Sequence, residues 1–127
     1  MNFKKQPKID LHLHLDGAIR VPTIAELGDE LGIRLPTYDP KKLAKFVQVD
    51  RDCRSLTDFL KRFEVFYPIL PYAKTQERIA YELCEDCTQD NVIYFETRFA
   101  PRAGVQREVY DGGCNCGGAG RTTARPA

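Results

Sequence analysis

Residues 8–16 read Lys8-Ile9-Asp10-Leu11-His12-Leu13-His14-Leu15-Asp16. Apolar and polar side chains alternate without a break, and a period of two is that of a β-strand. Ile9, Leu11, Leu13 and Leu15 are expected on one face, packed on helices. Asp10, His12, His14 and Asp16 are expected on the other. A face so rich in metal-ligating groups is not an ordinary solvent face; it points to an interior that binds something.

Gly17 and Ala18 end the alternation. Ile24, Leu27 and Leu31 then recur at spacings of three and four, with Pro22 suited to a first helical turn and Gly32 to the residue just past the end. Pro36 to Pro40 reads as a loop, and Lys41 to Val49 as a weak amphipathic segment. Ser55 is placed to cap a helix over Leu56 to Glu64, with Leu56, Phe59, Leu60 and Phe63 as its apolar stripe. Pro68 and Pro71 interrupt. Thr75 is expected to cap a helix from Gln76 to Gln89 that buries Ile79, Ala80, Leu83, Cys84 and Cys87. Asp90-Asn91 turns the chain into a second strand, Val92 to Phe99.

Strand, helices, strand, with a long helical crossover, describes a parallel β/α arrangement in which the two strands are neighbours. A barrel and a doubly wound sheet both fit. Residues 1–102 form one unit on this reading. From Ala103 to Ala127 the apolar periodicity is lost, and the glycine- and cysteine-rich tail is expected to be unstructured.

The 127 residues carry a formal net charge of +1, so nothing in the charge favours nucleic acid or an anionic membrane as partner. No apolar run approaches the ~20 residues of a membrane span. The five cysteines are odd in number, and no secretory leader is expected from the Met1 to Pro7 stretch, where no apolar run follows Lys4 and Lys5. A cytoplasmic protein without a disulfide framework is therefore expected. Cys84, Cys87, Cys114 and Cys116 could offer four thiolates to zinc. Cys84 and Cys87 on the helical apolar face read instead as small hydrophobes, while Cys114 and Cys116 fall in the tail with a Cys-x-Cys spacing unusual for a zinc finger.

His12 and His14 lie two apart on one strand, with Cα atoms roughly 6–7 Å apart. Imidazoles so placed can converge on one ion at about 2 Å from each nitrogen. Zinc is the default for such a site; iron, cobalt and nickel remain open. The chain has only these two histidines, and a catalytic zinc takes about three protein ligands and an open position. Asp10, Glu96 or a cysteine would have to serve, or the other ligands lie outside this chain. The second alternative is preferred. Arg98 and Glu96 are expected to form a structural ion pair.

The string from Pro7 to Arg20, with its His12-Leu13-His14-Leu15-Asp16-Gly17-Ala18-Ile19 core, resembles the first barrel strand of adenosine deaminases. Pro22-Thr23-Ile24, Phe59 to Phe63, Arg78 to Glu82 and Tyr94 to Pro101 resemble the same family, in order. The resemblance runs from about Pro7 to Arg102. It implies an incomplete TIM-type (β/α)8 barrel, its first two strands with the intervening helices. It implies zinc-dependent hydrolytic deamination of adenosine to inosine and ammonia, with a small nucleoside as partner. His12 and His14 then match zinc ligands, and Asp16 matches a residue binding the sugar 5′-hydroxyl. His14 also borders the substrate, and Leu56, Phe59, Leu60 and Phe63 match an apolar gate over the purine.

The family draws its other ligands and its general acid from later strands, and a whole barrel needs about 250 residues. No catalytic residue is therefore assigned here, and the chain by itself is expected to be inactive. The alternatives are a related deaminase acting on adenine or on a modified or phosphorylated adenosine, and a non-catalytic product of a damaged or alternatively terminated gene.

Overall fold

The computed structural model describes residues 3–51, 53–99 and 120–124. Strand β1 (Lys8–His14) is followed by a 3-10 turn over Leu15–Gly17 and by helices α1 (Val21–Glu30), α2 (Pro40–Val47), α3 (Leu56–Glu64) and α4 (Ala73–Gln89). Strand β2 (Val92–Phe99) then pairs in parallel with β1. This is a partial α/β unit with the strand–crossover–strand order read from the sequence.

Most of the tail expected to be unstructured lies outside the described residues. Within it, backbone of Gly120–Ala124 forms β3, antiparallel to β2. Nothing in the composition of that segment announced a strand. Among the described residues no helix is long and apolar enough to cross a membrane.

The local signals act as their chemistry requires. Asp39 caps α2 by accepting from the Lys41 N–H at 2.9 Å. Ser55 accepts from the Asp58 N–H at 3.1 Å, and its hydroxyl donates to the Asp58 carboxylate at 2.8 Å, so α3 starts where expected. Gly32 follows α1 with φ +64° and Asn91 turns the chain into β2 with φ 57°. Both are left-handed conformations that suit these residue types. Thr75 does not cap α4. The helix begins at Ala73 after Tyr72, and Thr75 sits inside its first turn, fully buried. Its hydroxyl finds no hydrogen-bond partner among the described residues.

Ile24, Leu27, Leu43, Ile69, Ile79, Leu83 and Phe95 share one core, with Leu15 at its edge. Polar groups lock α1 to α4 beside it. Arg20 donates to both carboxylate oxygens of Asp86, at 2.7 and 3.1 Å, and to Glu85 at 3.1 Å. The Asp86 carboxylate foremost holds that guanidinium above its ordinary pKa. Thr23 donates to Glu82 at 2.6 Å, and Arg78 bridges Glu82 and Glu26.

The uniform alternation expected for β1 is corrected. Ile9 pairs with Tyr94, Asp10 with Phe95, Leu13 with Thr97 and His14 with Arg98, with register shifts after Lys8 and between Asp10 and Leu13. Directly paired residues share a face, so Asp10 and Leu13 lie on the side of buried Phe95. Ile9 lies on the side of His14. The Asp10 carboxylate accepts from the His12 N–H at 3.0 Å and absorbs the extra residue. Ile9 and Leu11 are consequently 62% and 57% exposed rather than packed on helices. Only Leu13 and Leu15 of the aliphatic row turn inward.

Candidate metal and nucleoside site

The irregular register separates Asp10 from the histidines but leaves His12 and His14 together. Their Nε2 atoms are 3.0 Å apart and their ring centroids 5.0 Å apart. Two donors at that separation are within reach of a common ion about 2.0–2.1 Å from each. The pair therefore fits half of a zinc site. Among the described residues no group of three or more His, Cys, Asp or Glu is arranged to hold an ion. Of the substitutes considered, Asp10 is turned to the His12 backbone and Glu96 accepts from the Tyr94 hydroxyl at 3.1 Å.

Arg98 does not pair with Glu96. The register brings it beside the histidines, and its Nη1 lies 2.7 Å from His12 Nδ1. A guanidinium only donates, so Nδ1 accepts and the ring proton of a neutral His12 sits on Nε2. That proton is the one shared with His14 Nε2. An ion held on His12 Nε2 would take the proton's place, and a neutral ring would then carry its proton on Nδ1, facing Arg98.

Asp16 lies not on the strand but in the 3-10 turn that follows it, half-buried. The turn carries it to the wall of a cavity of about 990 Å³, lined in part by His14, Asp16, Phe59, Leu60 and Phe63. Gly17 lies between the two sides of the site: a Cβ there would be 3.8 Å from His14 Cβ and 3.9 Å from the Phe63 ring. Phe63 continues into an aromatic cluster, 5.3 Å from Phe66 and 5.7 Å from Tyr67 between ring centroids.

The structure thus brings His14, Asp16, Phe59, Leu60 and Phe63 to one cavity. His12 touches it only through His14. Leu56 is 72% exposed and lies off the lining. Arg62, Phe66, Tyr67 and Asp86 line the cavity although sequence reasoning did not single them out. Phe66 and Tyr67 prolong the stripe beyond Glu64, a signal that was legible. Arg62 sits among charges on α3 and reads as a solvated position.

The family model for adenosine deaminase matches residues 7–115. An adenosine deaminase of Clostridium botulinum (strain Loch Maree / Type A3) is 45% identical over 107 residues, covering 84% of this chain and 32% of that protein. A "Probable adenosine deaminase" of Dictyostelium discoideum is 45% identical over 99 residues, 78% of this chain and 13% of that protein. The chain spans about a third of the length of the first of these relatives. Among solved structures, the Arabidopsis N6-mAMP deaminase MAPDA matches with TM-score 0.63 and 32% identity, over 80% of this chain and 30% of that one. Arabidopsis ADAL complexed with GMP matches with TM-score 0.61 and 30% identity, over 80% and 29%. These neighbours belong to the TIM-barrel class, so the two parallel strands and their helices are a part of that fold. By its matched residues and its fold, the chain belongs to the adenosine deaminase family.

Proposed function

We propose that this chain is the ligand-presenting first part of a zinc-dependent enzyme that hydrolyses adenosine to inosine and ammonia. The observation that carries the reading is the convergence of His12 and His14 beside a cavity that holds Asp16 and the apolar side of α3. When bound, zinc supplies a water activated for attack on the purine carbon bearing the amine. His12 and His14 hold the ion. The Asp16 carboxylate accepts a hydrogen bond from the sugar 5′-hydroxyl. Phe59, Leu60 and Phe63 pack on the base and keep bulk water from it. The remaining ligands and the general acid come from later strands of the barrel, so chain 1–127 alone is inactive in this account.

A second reading comes from the neighbours, whose names specify GMP and N6-mAMP. A 5′-phosphate on this chain would approach the Asp16 carboxylate, and like charges repel. The nucleoside is therefore favoured over the nucleotide. Titrating the zinc-treated chain with adenosine and with AMP, followed by amide NMR, tests this. Adenosine is expected to shift Asp16, Gly17 and α3 signals at lower concentration than AMP. Tighter binding of AMP, or no response in these segments, overturns it.

A further inference from the structure

Helix α3 forms one side of the cavity but is weakly rooted. None of its residues is fully buried, and Leu56, Phe59 and Leu60 are 72%, 37% and 47% exposed. Phe63 leans on the aromatic cluster. The other attachment is polar: the Arg62 Nη1 donates to the Lys45 carbonyl at 2.8 Å, while Nη2 lies 3.9 Å from Asp50 Oδ2. Lys45 belongs to the last turn of α2, where carbonyls lack helical partners and the helix dipole is negative. A guanidinium satisfies both conditions at once. Helix α2 is itself fixed, because its Leu43 is completely buried in the core.

Residues on both sides of this contact border one cavity. Val47, Gln48 and Val49, just beyond Lys45, line the cavity together with Phe59, Leu60, Arg62 and Phe63. We propose that Arg62 is a positioning residue that latches the gate helix α3 to the end of α2 and so sets the width of the cavity. With the latch closed, the aromatic side of α3 is held over the space beside His14 and Asp16. With it open, the exposed Leu56, Phe59 and Leu60 side of α3 is free to move away from the end of α2. Arg62 does not touch the reacting atoms; it acts through the placement of Phe59 and Leu60. The substrate consequence rests on reading the cavity as the nucleoside site, whereas the latch itself does not.

Hydrogen exchange on the full chain separates the two. In Arg62→Met, which keeps the apolar stem and loses the donors, amides of Leu56–Glu64 are expected to exchange about ten-fold faster. Amides of α4 should keep their rates, and Arg62→Lys, with a shorter-reaching donor, should restore part of the protection. Adenosine affinity should fall in Arg62→Met and recover in part in Arg62→Lys. Unchanged α3 exchange in Arg62→Met overturns the latch, as does equal acceleration in α3 and α4, which would report general destabilisation. If α3 loosens selectively while the wild-type chain binds no adenosine, the latch stands and the nucleoside reading of the cavity fails.

Discussion

Arg98 and His12 meet across the two parallel strands, with Nη1 of the first 2.7 Å from Nδ1 of the second. The contact joins the site to the register, because His14, the next residue on the same face, is the direct partner of Arg98. It also opposes an ion. A neutral His12 that ligates through Nε2 needs its proton on Nδ1, where Arg98 now donates. Metal binding must displace Arg98. Arg98→Met is accordingly expected to tighten zinc binding about ten-fold, the worth of one charge-assisted hydrogen bond. Competition with a chromophoric chelator measures it, and weaker binding in the variant would show that Arg98 supports the ligand instead.

Asp16 and the histidines have separable roles. In a barrel completed with the later strands of a relative, His12→Ala or His14→Ala should lose both metal and kcat. Asp16→Ala should keep its metal and lose roughly ten- to a hundred-fold in kcat/KM, since a hydrogen bond to a charged group contributes about 1.5–3 kcal/mol. On a 5′-deoxy substrate the Asp16 variant and its parent should be equal. Metal loss in Asp16→Ala contradicts the assignment.

The Thr23–Glu82 hydrogen bond, 2.6 Å long and buried, ties α1 to α4. Thr23→Val keeps the shape and removes the donor to a buried carboxylate. A loss of about 1–3 kcal/mol is expected in urea unfolding, with the m-value unchanged. A change within error would mean that Arg78, which also donates to Glu82, satisfies that group by itself.

Cys87 is buried against the core, and burial above all pushes its thiol pKa up, with Cys84 and then Asp10 adding to the effect. The folded pKa thus exceeds the unfolded value of about 8.5. The corresponding stability is fully present below the unfolded pKa and is lost as pH rises through the folded one. Unfolding midpoints should fall as pH rises above about 8.5, and Cys87→Ala should flatten that fall. Peptide mapping after brief alkylation should find Cys53 modified before Cys87.

The helices were legible because their signals are local. Ser55, Gly32 and Asn91 act within a few residues of themselves, and the apolar stripes of α1 and α4 meet the core as spaced. The convergence of His12 and His14 was legible from a spacing of two. The misplaced faces of Ile9 and Asp10 were not, because strict alternation in a sequence cannot show that a carboxylate will bond a neighbouring N–H and shift the register. Arg98 at His12 and Arg62 at Lys45 were equally hidden. Each is decided by pairing between elements far apart in the chain, and a lone arginine looks the same whether it meets solvent or a carbonyl.

The claim that His12 and His14 are joint ligands of one ion is tested most directly by long-range ¹H–¹⁵N NMR of the imidazoles, since the chain has only two histidines. Zinc is added to one equivalent while the ring nitrogens are followed. Both Nε2 resonances should move together to metal-bound positions, Nδ1 of both rings should carry the proton, and His12→Ala should abolish the response of His14. Movement of a single ring, or uptake of zinc with both rings unmoved, would contradict the account.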